Sequence, residues 1–182
     1  METTYRCPLR VLRERTAHCF DGGLFGVAAL RCLGYPPLIL NMHAIVQDDD
    51  HLLALYKRDG HWGAAAKSNF VGLRLREPIY RTLHEFVMSH FEQFYNVERK
   101  KTLRSYTVPL NLKVFDRLKW MTSGESLDRI GSRLDEIRKV RLLTRRMVVN
   151  LSLVDDRSYH AGLLGADEKG LYLPPSNRSK KV

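Results

Sequence analysis

Two residues in this 182-residue chain have the chemistry for covalent catalysis if the fold brings them together: Cys19 and His51. Cys19 opens a stretch that reads as a helix. A helix N-terminus favours a thiolate, and its free N–H groups can hold a developing oxyanion. His51 opens a strand directly after Asp48-Asp49-Asp50. An imidazole within reach of Cys19 takes the thiol proton and returns it to a leaving group. The strand ends in Asp59-Gly60, a strong hairpin signal, so the returning strand brings residues 66–69 back opposite His51. Lys67, Ser68 and Asn69 are the polar groups there that can orient the imidazole. His18 is a rival activator, but adjacent residues on a helix point apart.

Each of these residues also has a plainer reading. A cysteine is often a small buried hydrophobe. Cys32, late in the same helix, reads as core, and Cys7 as incidental. Asp21 reads as a first-turn acid that suits the helix dipole. Asp48 to Asp50 read as a solvated loop, since three adjacent acids do not face one ion. A zinc site from Cys19, His18 and His51 lacks paired-ligand spacing, so neither metal nor cofactor is expected. His84 and His90 fall on different helix faces. Trp62 reads as core under the hairpin. Gly22, Gly23 and Gly26 have no Lys-Ser/Thr ending and no preceding strand, so they indicate close helix packing rather than a phosphate loop.

Several elements must position these groups. A helix is expected over residues 19–33, with Thr16 near its N-cap, Gly34 as the C′ residue and Pro36-Pro37 blocking continuation. Residues 38–46, 51–58 and 61–66 read as strands. The middle one is apolar on both faces, as a central covered strand is. Residues 77–95 carry apolar groups at helical spacing, and 126–143 is the clearest helix of the second half. Gly162, Gly165, Gly170 and Pro174-Pro175 mark an irregular C-terminal segment. The order is helix, antiparallel strands, helices, which is an α+β fold.

At 44% hydrophobic residues the chain has enough apolar material for a core, which excludes wholesale disorder. It holds no run of roughly 18 apolar residues, so no membrane span is expected. Three scattered cysteines and no apolar leader suggest reduced thiols in the cytoplasm. The net charge is +10. Residues 1–100 hold 13 Lys/Arg and 11 Asp/Glu; residues 101–182 hold 17 and 9. The excess therefore lies away from Cys19 and His51. Its densest cluster is Arg138, Lys139, Arg141, Arg145 and Arg146, which suits a solvated face or an acidic partner. A nucleic acid is the lesser expectation, because no aromatic interleaving accompanies the charge.

Two stretches carry a family resemblance. HCFDGGLFGVAALRCLGYPPLIL resembles the nucleophile helix of the transglutaminase-like (papain-like) cysteine enzymes, with Cys19, Asp21, Leu33-Gly34 and Pro36 in place. HLLALYKRDGHWGAAAKSN is similar to their second motif through His51, Asp59-Gly60 and Trp62. DDDH, KSN, REPIYRTLHEF and KTLRSY extend the likeness to an uncharacterised bacterial family of that superfamily. The resemblance implies one domain over residues 1–182. Its core would span about 16–110, a nucleophile helix on a small antiparallel sheet. A helical extension over about 111–175 and a polar tail over 176–182 would follow. It implies an acyltransferase or amide/peptide hydrolase acting on a protein or peptide, with Cys19 as nucleophile and His51 as base. At Ala66, where the superfamily carries the Asp of its triad, this chain departs. Asn69 or Ser68 is then the expected orienting group. The departure also leaves open a binding module that keeps the fold without the reaction.

Overall fold

A computed structural model describes residues 5–125 and 127–173. Its helices are α1 (Pro8–Glu14), α2 (Cys19–Cys32), α3 (Leu83–Met88), α4 (Leu127–Glu136), α5 (Arg145–Val149) and α6 (Asp156–Gly162). Its strands are β1 (Leu38–His43), β2 (His51–Arg58), β3 (His61–Ala65), β4 (Leu75–Tyr80), β5 (Ser105–Thr107), β6 (Leu110–Asn111) and β7 (Lys139–Arg141). The strands form one sheet in the order β4-β3-β2-β1-β5-β7, and β6 also pairs with β1. Every pairing is antiparallel. The fold is α+β, as expected.

β2 is the central strand, and its first six residues are buried. Leu52 and Ala54 join Leu24 and Val27 of α2 in one core. Leu53 and Leu55 join Phe86, Val87 and Phe94 in a second core on the opposite face. Burial on both faces is why β2 shows no polar alternation. The β2–β3 turn places Asp59 at φ 48° and Gly60 at φ 81°, the two left-handed positions of a type I′ hairpin.

α2 lies close on the sheet because its facing residues are glycines. A Cβ at Gly26 would stand 2.9 Å from that of Ala54, and one at Gly23 would meet Leu52 at 3.0 Å. Gly22 packs against Lys67 in the same way. The helix stops in a Schellman-type turn: Gly34 takes φ 89°, its N–H donates to Arg31, and the Tyr35 N–H donates to Leu30. The N-cap is His18, not Thr16. Buried Asp21 secures that end by accepting from the His18 and Arg6 backbone N–H groups at 3.4 and 2.9 Å.

Four expectations need correction. Residues 77–95 are not one helix. Their first part is edge strand β4, where Pro78 is tolerated because only one neighbour needs its hydrogen bonds. Thr82 then caps α3 by accepting from the Glu85 N–H. The helix expected over 126–143 stops at Glu136, and the chain returns to the sheet as β7, inside the stretch expected to be a helical extension. Cys7 is buried in the α2-side core, whereas Cys32, at the outer end of α2, is exposed. Pro174-Pro175 and the tail at 176–182 lie outside the described residues. Among the described residues no helix is long and apolar enough to cross a membrane.

Candidate functional site

The β1–β2 loop is held by one carboxylate. Asp50 accepts from the Ala44 N–H and the Asn41 amide, each at 2.9 Å, and lies 2.6 Å from Nδ1 of His43. Burial alone would raise its pKa, but these partners outweigh it and hold the carboxyl below the usual aspartate range. Asp48 accepts from the Thr102 hydroxyl. The acidic run is therefore built into the loop rather than simply solvated. Among the described residues no group of three or more His, Cys, Asp or Glu is placed to hold a metal ion.

The ordered loop delivers its backbone to Cys19. The thiol lies 3.7 Å from the Asp50 carbonyl and 3.9 Å from an Asp49 carboxylate oxygen. Burial opposes the thiolate that the helix dipole favours. Burial pushes the thiol up to about 12, and the charge of Asp49 adds to this. The Phe20 N–H and Lys67 act in the opposite direction and are outweighed.

His51 is the first residue of β2 and shares the face of Leu53 and Leu55. Its Nε2 lies 3.0 Å from the Leu73 carbonyl oxygen. A carbonyl only accepts, so neutral His51 carries its proton on Nε2 and keeps the Nδ1 lone pair. Burial lowers its pKa to about 4, with Lys67 contributing through repulsion. The imidazole is neutral at physiological pH.

The orienting partner is thus a backbone group, and this corrects the expectation for Asn69 and Ser68. Ser68 Oγ accepts from the Phe70 N–H at 3.1 Å and shapes the loop after β3. Asn69 donates to the Asp167 carbonyl at 3.3 Å, tying that loop to the C-terminal segment. Neither bonds to His51 among the described residues. Ala66 donates its N–H to the Arg74 carbonyl at 2.7 Å. This bond helps carry the chain on to Leu73.

All four expected site residues, Cys19, His51, Ser68 and Asn69, nevertheless line one cavity of about 110 Å3 with His18 and Lys67. Phe94, Tyr95 and residues 170–172 form its far wall. Tyr95 is held there by edge contact with Phe70, ring centres 5.1 Å apart, and by donating to the Ser158 carbonyl at 3.0 Å. A second cavity of about 380 Å3 reaches Cys19 from the α4 side, past Leu134 and Asp135.

No protein-family model matches the chain, and no curated protein matches it in sequence.

Sequence reasoning missed three parts of the site. The Leu73 carbonyl leaves no mark in a side-chain pattern. Asp49 was legible as part of an acidic run, but its approach to the thiol was not. The 170–172 wall has no local motif and depends on a long-range contact.

Proposed function

We propose that the cleft performs cysteine-dependent acyl transfer or amide hydrolysis in a transglutaminase-like core, with Cys19 as nucleophile and His51 as base. The observation that carries this reading is the convergence of the first residue of α2 and the first residue of β2 on one cavity, with the His51 tautomer fixed by Leu73. Cys19 Sγ leaves the Asp50 carbonyl and attacks the substrate carbonyl carbon as its proton passes to Nδ1 of His51. The imidazolium donates from Nε2 to Leu73 and returns the Nδ1 proton to the departing amine. Water or a second amine then releases the acyl group from sulfur. The N–H groups at the start of α2 suit the oxyanion. A peptide or protein amide is the substrate class that this chemistry suits.

A second reading, a binding module of the same fold, is favoured by the resting protonation states. Burial raises the thiol to about 12 and lowers the imidazole to about 4, and both shifts disfavour a resting thiolate–imidazolium pair. An acidic partner for such a module has a matching surface: Arg138, Lys139, Arg141, Arg145 and Arg146 are exposed and form no ion pair among the described residues. Iodoacetamide labelling separates the readings. The enzyme reading expects Cys19 to be alkylated in the native protein near pH 7, with His51→Ala slowing the reaction about tenfold or more. Labelling that rises only toward pH 12 and ignores His51→Ala leaves the binding module.

A further inference from the structure

Beside the cleft lies a larger groove of about 690 Å3, within the range of roughly 300–1,000 Å3 typical of small-molecule sites. α1 supplies Val11 and Leu12, and α2 supplies Phe25 and Leu30, with Leu33 at its end. Leu12 and Leu33 are 61% and 74% exposed, so the apolar walls are open to a ligand. The charged residues that line it are Arg15, Lys67 and Arg74. No carboxylate lines the groove, and none of the three cations forms an ion pair among the described residues. Lys67 also lines the Cys19 cavity, so the two spaces meet at one ammonium group.

We infer that this groove binds a fatty carboxylate, its alkyl chain between α1 and α2 and its head group among Arg15, Lys67 and Arg74. A peptide fits less well. Its amides need hydrogen-bond partners, and beyond the three cations the groove offers only the Thr16 hydroxyl among polar side chains. An alkyl chain needs none, and three unpaired cations attract one anionic head. The inference stands on the groove alone and does not depend on chemistry at Cys19.

The test is a fluorescence titration of the Cys19→Ala chain with monomeric dodecanoate, using dodecanol as the neutral control. Dodecanoate should bind saturably, and dodecanol at least about tenfold more weakly. Arg15→Gln with Arg74→Gln should weaken dodecanoate about tenfold and leave dodecanol within about twofold. Leu33→Asp, and separately Leu12→Asp, should abolish binding of both while the circular dichroism spectrum is unchanged. Equal binding of acid and alcohol overturns the inference. So does indifference to both Asp substitutions in folded protein, or binding confined to anionic vesicles.

Discussion

Two buried histidines stand near the cleft on opposite faces of the sheet. His43 closes β1 on the α2 side and has the partner a catalytic imidazole ordinarily uses, the Asp50 carboxylate at 2.6 Å. Its Nε2 is buried without a partner among the described residues. His51 opens β2 on the other face and lines the cavity with Cys19, yet only a backbone carbonyl holds it. The stronger hydrogen-bond partner thus belongs to the histidine that secures the loop. The weaker one belongs to the histidine beside the thiol. A carboxylate that stabilises imidazolium and a position beside a thiol are separable properties, and this fold separates them.

The largest expected effect concerns His51 and pH. Unfolded, it takes a proton near 6.5; folded, only near 4. Between those values the unfolded chain binds more protons, so the contribution is full above about 6.5 and is lost as pH falls toward 4. The loss is on the order of 3 kcal/mol, visible as a falling urea midpoint; buried His90, lowered to about 3, adds a slope of the same sign, so His51→Asn should roughly halve that part of the curve. Asp50 is held below its usual range, so it should add no slope across most of that window. If His51→Asn leaves the pH dependence intact, the contrast between the two histidines breaks.

Next in size is Asp50→Ala. It strands the Ala44 N–H, the Asn41 amide and His43 together and should cost about 2–3 kcal/mol in chemical unfolding. It should also speed alkylation of Cys19, because the loop that presents the Asp50 carbonyl loosens. Smallest are Asn69→Ala and Ser68→Ala, each expected to cost about 1 kcal/mol or less. Neither should alter the pH slope assigned to His51. A change in that slope would restore one of them as its orienting group.

The hairpin and α2 were legible because local chemistry dictates them. Asp59-Gly60 accepts left-handed backbone, Gly34 ends a helix, and glycines spaced along one helix mark close approach to a sheet. The error at 77–95 arose because Phe86, Val87, His90, Phe91 and Phe94 do share a buried surface, but a short helix and a 3-10 turn supply it together. Pro78 and Thr82 were the contrary signals. Cys19 and His51 were readable from residue type and position. Their protonation states were not, since burial comes from residues distant in the chain.

The wall at 170–172 gives the cleft a history during synthesis. Cys19 leaves the ribosome well before the last residues that enclose it. At about 5–20 residues per second the interval is roughly 8–30 s. The nascent protein therefore carries its thiol in an unfinished cleft, exposed to cellular oxidants and to other nascent chains. Burial is what raises the Cys19 thiol pKa, so that shift belongs to the enclosed state. The newborn chain passes through a period of ordinary cysteine reactivity first.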